Sequence, residues 1–156
     1  MIEYRSCEKS DCEVWILLNR EFMAEEIQDE ELWHGADQVS DEQFQDTFHA
    51  GLKASQQVGF LLFEEDDIPV GFANLMIVFS VWTHGPALVI DDLYLRPDYR
   101  GKGYGRSAME MIEEYAKERG CKRIQFQSEL TNPNAMEFYR VIGYQPADMK
   151  FYVKYI

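Results

Sequence analysis

The sequence predicts an α/β fold with a mixed, partly antiparallel central sheet flanked by helices. In the first half, two apolar runs at 58–63 and 70–81 are separated by an acidic turn, which is typical of an antiparallel hairpin. In the second half, an apolar strand, an amphipathic helix and another strand follow one another, which is typical of a parallel unit. One sheet must therefore contain both kinds of strand pairing.

Three elements are predicted before the hairpin. Ile2 to Arg5 has the pattern of a short strand, and Ser10-Asp11 offers an N-cap for a first helix. A second helix is expected to open at Ser40-Asp41. Both helices carry apolar residues at helical spacing on one face, namely Val14, Leu17, Leu18 and Phe22 in the first and Phe44, Phe48 and Leu52 in the second.

Five elements are predicted after the hairpin. The segment 87–95 is apolar on both faces until Asp91-Asp92, as expected of a central strand. The helix over 103–119 should stop at Gly120, since glycine commonly ends helices. The remaining predictions are a strand at 123–127, a short helix at 134–141 and a final strand at 149–155.

Composition narrows the class of protein. The 156 residues, 46% of them hydrophobic, show no repeat or linker, so a single domain over 1–156 is expected. The 15 basic and 28 acidic residues give a formal net charge of -13, which repels nucleic acids and anionic membranes. No apolar run approaches the about 18 residues of a membrane helix. The three cysteines have neither disulfide nor zinc-site spacing. We expect a cytoplasmic protein without a metal, nucleic-acid or membrane partner.

Three alternating glycines and three cations join the strand at 87–95 to the next helix. Gly101, Gly103 and Gly105 lack a Cβ, so the backbone can turn sharply and bring its N–H groups close to a bulky anion. The first turn of the following helix adds unpaired N–H groups and partial positive charge. The side chains that add full positive charge there are Arg100, Lys102 and Arg106. This segment has the properties of a pyrophosphate site.

Spacing excludes two other glycine loops. A Walker A loop needs Ser or Thr after its Lys, but Lys102 is followed by Gly103. A Rossmann fingerprint that starts at Gly101 needs a glycine where Arg106 stands. The pattern that remains is R-x-x-G-x-G, formed by Arg100, Gly103 and Gly105.

The block from Ala87 to Gly105, followed by a helix, a strand and the segment from Asn132 to Tyr144, resembles the GNAT superfamily of N-acetyltransferases. Within that superfamily it is similar to the diamine and polyamine acetyltransferases. The resemblance implies a GNAT-like mixed sheet, acetyl-CoA as cofactor and no metal. The cofactor-binding residues that it implies are Leu93, Tyr94, Leu95, Arg100, Gly101, Lys102, Gly103, Tyr104, Gly105, Arg106, Asn132 and Tyr139. Of these, Leu93 to Leu95 are expected to contribute backbone groups.

Asp91 and Asp92 are two adjacent carboxylates inside an apolar strand, where an unpaired charge is costly to bury. Strand alternation predicts opposite faces, so that one of them faces the acceptor amine. The resemblance implies that Asp91 is the catalytic base, directly or through a water. The alternative is a carboxylate satisfied by backbone N–H groups or an Arg, and for Asp92 that structural interpretation is favoured.

Tyr139 and Asn132 take their expected roles from the resemblance. It implies that the Tyr139 hydroxyl reaches the coenzyme sulfur and donates a proton to the leaving thiolate, with an ordinary core aromatic as the alternative. It also implies that Asn132 contacts the pantetheine arm, with a turn or N-cap residue as the alternative.

The acceptor side has weaker signals. An acidic cluster at 25–31, which includes Glu26, forms either a solvated helix end or part of the acceptor mouth. Trp33 and Trp82 are core or hairpin residues unless they wall that mouth and hold an ammonium group by cation–π attraction. The substrate-binding residues predicted here are Glu26, Trp33, Trp82 and Asp91.

The function predicted from these features is an acetyl-CoA-dependent N-acetyltransferase. Its acceptor is expected to be the primary amine of a small cationic molecule, such as a diamine, a polyamine or a lysine-like compound, attacking directly within a ternary complex. An aminoglycoside and a protein or peptide amine are the alternative acceptors. A non-catalytic acyl-CoA-binding sensor is the alternative from another class. Similar enzymes are commonly homodimers, although the sequence carries no dimer signature.

Overall fold

The computed structural model describes residues 1–26, 35, 38–128 and 133–156, with Glu26 described by its backbone. Within these ranges the chain forms a five-stranded sheet in the order β1-β2-β3-β4-β5. The first four strands pair antiparallel, and β4 pairs parallel with β5. The strands are β1 at Glu3–Ser6, β2 at Val58–Glu65, β3 at Ile68–Ser80, β4 at Gly85–Leu95 and β5 at Ile124–Phe126. The prediction of a mixed, partly antiparallel sheet flanked by helices is confirmed.

Four helices accompany the sheet in the described ranges. The second begins after Ser40, whose hydroxyl accepts from the Gln43 amide at 3.2 Å while the Gln43 side chain accepts from the Ser40 amide at 3.0 Å. A short 3-10 turn at Lys9–Asp11 precedes the first helix. The helices are α1 at Cys12–Glu26, α2 at Asp41–Lys53, α3 at Tyr104–Glu118 and α4 at Pro133–Val141.

The two faces of the sheet are both buried. On β2, Leu61 and Phe63 belong to the cluster beneath α3, whereas Leu62 belongs to the cluster beneath α1 and α2. Because side chains alternate along a strand, a strand covered on both faces must be apolar at every position. Complete burial of one such side chain contributes about 1.5–3 kcal/mol.

β4 contains a bulge at the two adjacent carboxylates. Its register with β3 passes from the pair Leu75–Ile90 to the pair Asn74–Asp92, so Asp91 is the extra residue. Ile90 and Leu93 consequently pack into the same cluster beneath α3 although they are three residues apart. Strict alternation does not continue through the bulge, so alternation alone does not place Asp91 and Asp92 on opposite faces, and that expectation stays a prediction.

The predicted final strand at 149–155 is not formed. Phe151, Tyr152 and Val153 are 51%, 86% and 46% exposed, and none of the described strands pairs with their segment. Alternating apolar residues form a strand only where a neighbour supplies hydrogen bonds, and the described part of β5 is three residues long.

Candidate active site

The glycine loop leaves β4 through a 3-10 turn at Pro97–Tyr99 and enters α3 at Tyr104. Gly101 and Gly103 have φ angles of +73° and +86°, which L side chains rarely adopt. A Cβ added at either position would meet nothing within 4 Å, so open space lies in front of this backbone. The conformation and the space both fit a diphosphate at the N-terminus of α3.

The three predicted cations surround this loop in different environments. Lys102 is exposed, with its ammonium 5.2 Å from the centre of the Tyr99 ring, and Arg106 is also exposed. Arg100 donates from Nε to the Leu95 carbonyl at 2.8 Å and forms an ion pair with Glu25 in the last turn of α1. The carboxylate of Glu25 is thus paired with Arg100, one of the three cations of the loop.

Tyr94 and Tyr104 bind carboxylates through their hydroxyl groups. The buried Tyr94 donates to Glu25 at 3.2 Å, and its ring centre lies 5.5 Å from the Arg100 guanidinium carbon. Tyr104 at the start of α3 donates to Glu65 on β2. The phenol groups of both residues are therefore used within the protein, which leaves their backbone groups for a ligand.

The backbone of 93–95 has no described strand beside it along one edge, although the Leu95 carbonyl already accepts from Arg100. β4 pairs with the described part of β5 only from Leu88 to Ile90, whereas its pairing with β3 extends to Leu95. Past Ile90, β4 therefore offers backbone polar groups on the side of β5 that no described strand occupies. Such groups require hydrogen-bond partners, and an extended ligand can supply them.

The two carboxylates of the bulge have different surroundings. Asp91 is exposed, and no described residue donates a hydrogen bond to its side chain. The protein atoms around its carboxyl nevertheless displace part of the solvent, and this desolvation raises the pKa of Asp91. Asp92 is half-buried and accepts a hydrogen bond from Asn74 at 2.8 Å. Burial, opposed by this bond and assisted by the charge of Asp91, raises the pKa of Asp92 to about 6.

A buried polar network lies behind Asp92, and the sequence reasoning did not identify it. Asn74 accepts from the Trp15 indole at 2.9 Å and donates to Asn19 at 2.9 Å. Asn19 in turn donates to the Trp15 carbonyl at 2.7 Å. The signal that could have revealed this network is the single amide, Asn74, within the otherwise apolar run of β3.

α4 brings Tyr139 to the same end of the sheet. The Tyr139 ring centre is 4.4 Å from that of Phe126, and Phe126 is the register partner of Ile90, which immediately precedes the bulge. A Cβ at Gly105 would lie 3.4 Å from Phe138, so α4 packs beside the first turn of α3. The structure thus gathers the loop, the bulge and Tyr139. The prediction for Asn132 lies outside the described residues.

Of the predicted acceptor residues, Trp82 lies apart from the loop, the bulge and Tyr139. Trp82 is 90% exposed in the turn Val81–Thr83, before β4 begins. The six residue steps along the strand from Gly85 to Asp91 span about 20 Å, so this turn lies far from the bulge. Glu26 ends α1, but its side chain and the whole of Trp33 lie outside the described residues.

The described ranges contain neither a metal-binding cluster nor a membrane-spanning helix. They contain no group of three or more His, Cys, Asp or Glu side chains that could hold a metal ion. In the same ranges, no helix has the length and apolar character needed to cross a membrane.

Comparisons with known proteins agree with one another. The model of the "Acetyltransferase (GNAT) family" matches residues 17–144. Thialysine N-epsilon-acetyltransferase of Sus scrofa is 30% identical over 74 residues, which are 47% of this chain and 43% of that protein. The chain thus spans less than half the length of this curated relative.

Two solved structures share the fold. A possible acetyltransferase from Clostridium difficile 630 has a TM-score of 0.80 at 18% identity, covering 100% of this chain and 98% of that one. Aminoglycoside N-acetyltransferase AAC(6')-Iy in complex with CoA has a TM-score of 0.77 at 14% identity, covering 99% and 95%.

Proposed function

This chain belongs to the GNAT family of acetyltransferases, and from that membership we propose that it acetylates the primary amine of a small cationic acceptor with acetyl-CoA. Membership and the N-acetyltransferases among its relatives make it an acyltransferase. The proposed acceptor is a diamine, a polyamine or a lysine-like molecule. The relative named for thialysine supports this class.

The observation that carries the proposal is the continuity of β4 with the glycine loop. The bulge places two carboxylates on the strand, and the strand then leads directly into the loop at Arg100–Gly103. A cation-attracting group and an anion-attracting group are thus held by one continuous segment of the chain. An enzyme that joins a cationic acceptor to an anionic donor needs this arrangement.

The donor side uses the loop and the start of α3. Acetyl-CoA, when bound, supplies an acetyl group activated as a thioester. Gly101 and Gly103 give the backbone its turn, and Lys102 and Arg106 provide exposed charge for the pyrophosphate. The backbone of 93–95 and the side chain of Asn132 are proposed to hold the pantetheine arm.

The acceptor side must remove a proton from the amine. An alkylamine of pKa near 10.4 is only about one part in 10³ neutral at pH 7. Asp91, exposed at the bulge, first takes one proton from the acceptor ammonium group directly or through one water, and the neutral nitrogen then forms a bond to the acetyl carbonyl carbon. The carbon–sulfur bond breaks, the Tyr139 hydroxyl gives a proton to the leaving sulfur, and the second proton lost by the nitrogen passes through solvent and restores the Tyr139 hydroxyl. Glu26 and Trp33 are kept as proposed acceptor contacts, whereas Trp82 lacks support from its position.

A thiol-release assay tests this function. The protein is mixed with acetyl-CoA and a panel of diamines, polyamines, aminoglycosides, lysine and lysine peptides, and free thiol is measured. Release that is fastest with small diamines, polyamines or lysine-like amines is expected. Binding of acetyl-CoA by calorimetry without release in any mixture would instead favour a sensor, and the absence of binding would overturn both interpretations.

Substitution of Tyr139 by Phe tests the proton donor. Loss of the hydroxyl should lower kcat about tenfold or more, while the Kd for acetyl-CoA stays nearly unchanged because the ring still packs on Phe126. The matched control is Tyr144→Phe, which removes the hydroxyl of another tyrosine that packs on Phe126. Equal kcat values for the Tyr139 variant and the wild type would contradict the role.

A further inference from the structure

Asn74 is a polar side chain in the centre of the molecule, and every hydrogen-bonding atom of its amide is used. Its Oδ1 accepts from the Trp15 indole, and its Nδ2 donates both to Asn19 and to Asp92. Asn74 is only 9% exposed, and it faces Asp92 across the β3–β4 register. It is thus the link between helix α1 and the carboxylates of the bulge.

The orientation of the Asn74 amide is fixed by α1. An indole N–H can only donate, so the oxygen of Asn74 must face Trp15 and the nitrogen must face away from it. The side-chain nitrogen of Asn19 donates to the Trp15 carbonyl, and the side-chain oxygen of Asn19 accepts from Asn74. Both Trp15 and Asn19 are buried, at 2% and 5% exposure, so water does not compete for these bonds.

Because the Asn74 amide is fixed in this way, one of its N–H groups points at Asp92. Asn74 has two N–H hydrogens, and Asn19 takes one, so the other points at Asp92 Oδ2 at 2.8 Å. No described residue donates to the second oxygen of Asp92, which leaves that oxygen for an acceptor. A hydrogen bond to a half-buried carboxylate favours its ionised form.

Among the described residues, few charges surround Asp92. On its own strand Asp91 adds a like charge, which disfavours ionisation. The groups that reach it from β3 and α1 are the neutral Asn74, Asn19 and Trp15. Of the carboxylates near the end of α1 whose side chains are described, Glu21 and Glu25 are paired with Arg96 and Arg100.

We propose that Asn74, held by Trp15 and Asn19, is a positioning residue that keeps Asp92 aimed and ionised beside Asp91, so that Asp92 binds the ammonium group of the acceptor. This inference rests on the proposed function and deepens it, because it assigns recognition of the cation to Asp92 and proton removal to Asp91. Helix α1 thereby becomes part of the acceptor site through Trp15 and Asn19, which do not themselves touch the acceptor.

Steady-state kinetics of single variants test the proposal. Asp92→Asn should raise the KM for the amine about tenfold, the effect of losing one bond to a charged group, and should leave the KM for acetyl-CoA within about twofold. Asn74→Ala should raise the amine KM in the same way. Ser80→Ala is the matched control, since it removes a buried polar group from the far end of the same strand.

The pH profile separates positioning from a merely structural role. Asp92 is ionised above its pKa of about 6, so in the wild type amine binding should weaken as the pH falls through that value. Without the Asn74 bond the carboxyl is harder to ionise, and the same loss should occur at a higher pH. This acidic limb should be absent in Asp92→Asn.

A reciprocal exchange gives a second criterion. Asn74→Asp combined with Asp92→Asn restores a hydrogen bond between the two positions but moves the charge from β4 to β3. Stability should recover relative to Asn74→Asp alone, whereas the amine KM should stay raised. Recovery of the amine KM by the exchange would overturn the proposal.

The outcomes distinguish this inference from the proposed function. A wild-type protein that releases no thiol with any amine removes the proposed function. An active wild type, with amine KM and pH profile unchanged in Asn74→Ala, removes only the role of Asn74. If Asn74→Ala does not fold, Trp15→Phe, which removes the indole N–H group together with one of the two rings, should show a smaller shift of the acidic limb in the same direction. An unshifted limb there contradicts the proposal.

Discussion

The glycine loop and the carboxylate bulge lie on one continuous segment, yet they are built in different ways. The features that make up the loop are its positive φ angles, its cations and the start of α3, and all of them come from residues that are adjacent in sequence. The bulge depends on Asn74, which is 18 positions from Asp92, and on Trp15, which is 59 positions from Asn74. A site made of neighbours should survive changes elsewhere in the fold, whereas a site made of distant partners depends on how the whole molecule packs.

The largest expected effect tests the chemistry of the bulge. Asp91→Asn removes the proposed proton acceptor and should lower kcat/KM for the amine about 100-fold or more, while the Kd for acetyl-CoA, set by the loop, stays unchanged. Measurement of kcat/KM against pH checks this, since the limb that reports the base should vanish. A few-fold loss with an unshifted profile would contradict the assignment. Asp98→Asn is the control, an exposed carboxylate just before the loop.

The second expected effect concerns the free energy of unfolding, which the ionised Asp92 carboxylate lowers at neutral pH. The pKa of Asp92 is about 6 in the folded protein, above its ordinary value of 3.8, so ionisation above pH 3.8 costs folded stability progressively up to about pH 6. Asp92→Asn should therefore raise the free energy of unfolding at pH 7.5 by about 1–3 kcal/mol. The gain should disappear near pH 4. Chemical denaturation at both pH values measures it, and an equal gain at both would point to another cause.

The third prediction uses two glycines at opposite ends of α3. Gly103 and Gly120 have φ angles of +86° and +68°, and a Cβ at either would meet open space. Substitution by Ala should cost each about 1–2 kcal/mol of stability. Only Gly103→Ala should raise the Kd for acetyl-CoA, about fivefold, because its backbone faces the proposed pyrophosphate site. Calorimetry on both variants checks this, and equal Kd values would show that the loop conformation does not bind coenzyme.

The smallest expected effect connects the two regions. Glu25 holds Arg100 of the loop, so a bound pyrophosphate must compete with it. Glu25→Gln should lower the Kd for acetyl-CoA about two- to fivefold, and more at low ionic strength, as expected of an exposed ion pair. Glu21→Gln is the control on the same helix, because Glu21 binds Arg96 instead. A Kd that is unchanged or raised would contradict the competition.

The same contrast explains what the sequence could predict. The hairpin, α3 and the glycine loop followed from local periodicity and spacing, and the structure has all three. The bulge was missed because it is a relation between β3 and β4, although the change of apolar phase from Leu88 and Ile90 to Leu93 and Leu95 records it. The role of Asn74 was missed because its partners lie on another element. The prediction of a final strand at 149–155 was wrong because alternating apolar residues do not by themselves supply a neighbouring strand to pair with.

The bulge also has a consequence for changes of chain length. Asp91 is one residue more than β3 can pair, so deletion of its codon would leave a regular ladder in which Ile90 and Asp92 pair with consecutive residues of β3. The residues from Asp92 to Leu95 would keep their partners on β3, so the glycine loop would stay in place while the residue proposed to accept the proton is lost. A single inserted amino acid thus separates a strand that only supports the domain from one that also carries the proposed proton acceptor.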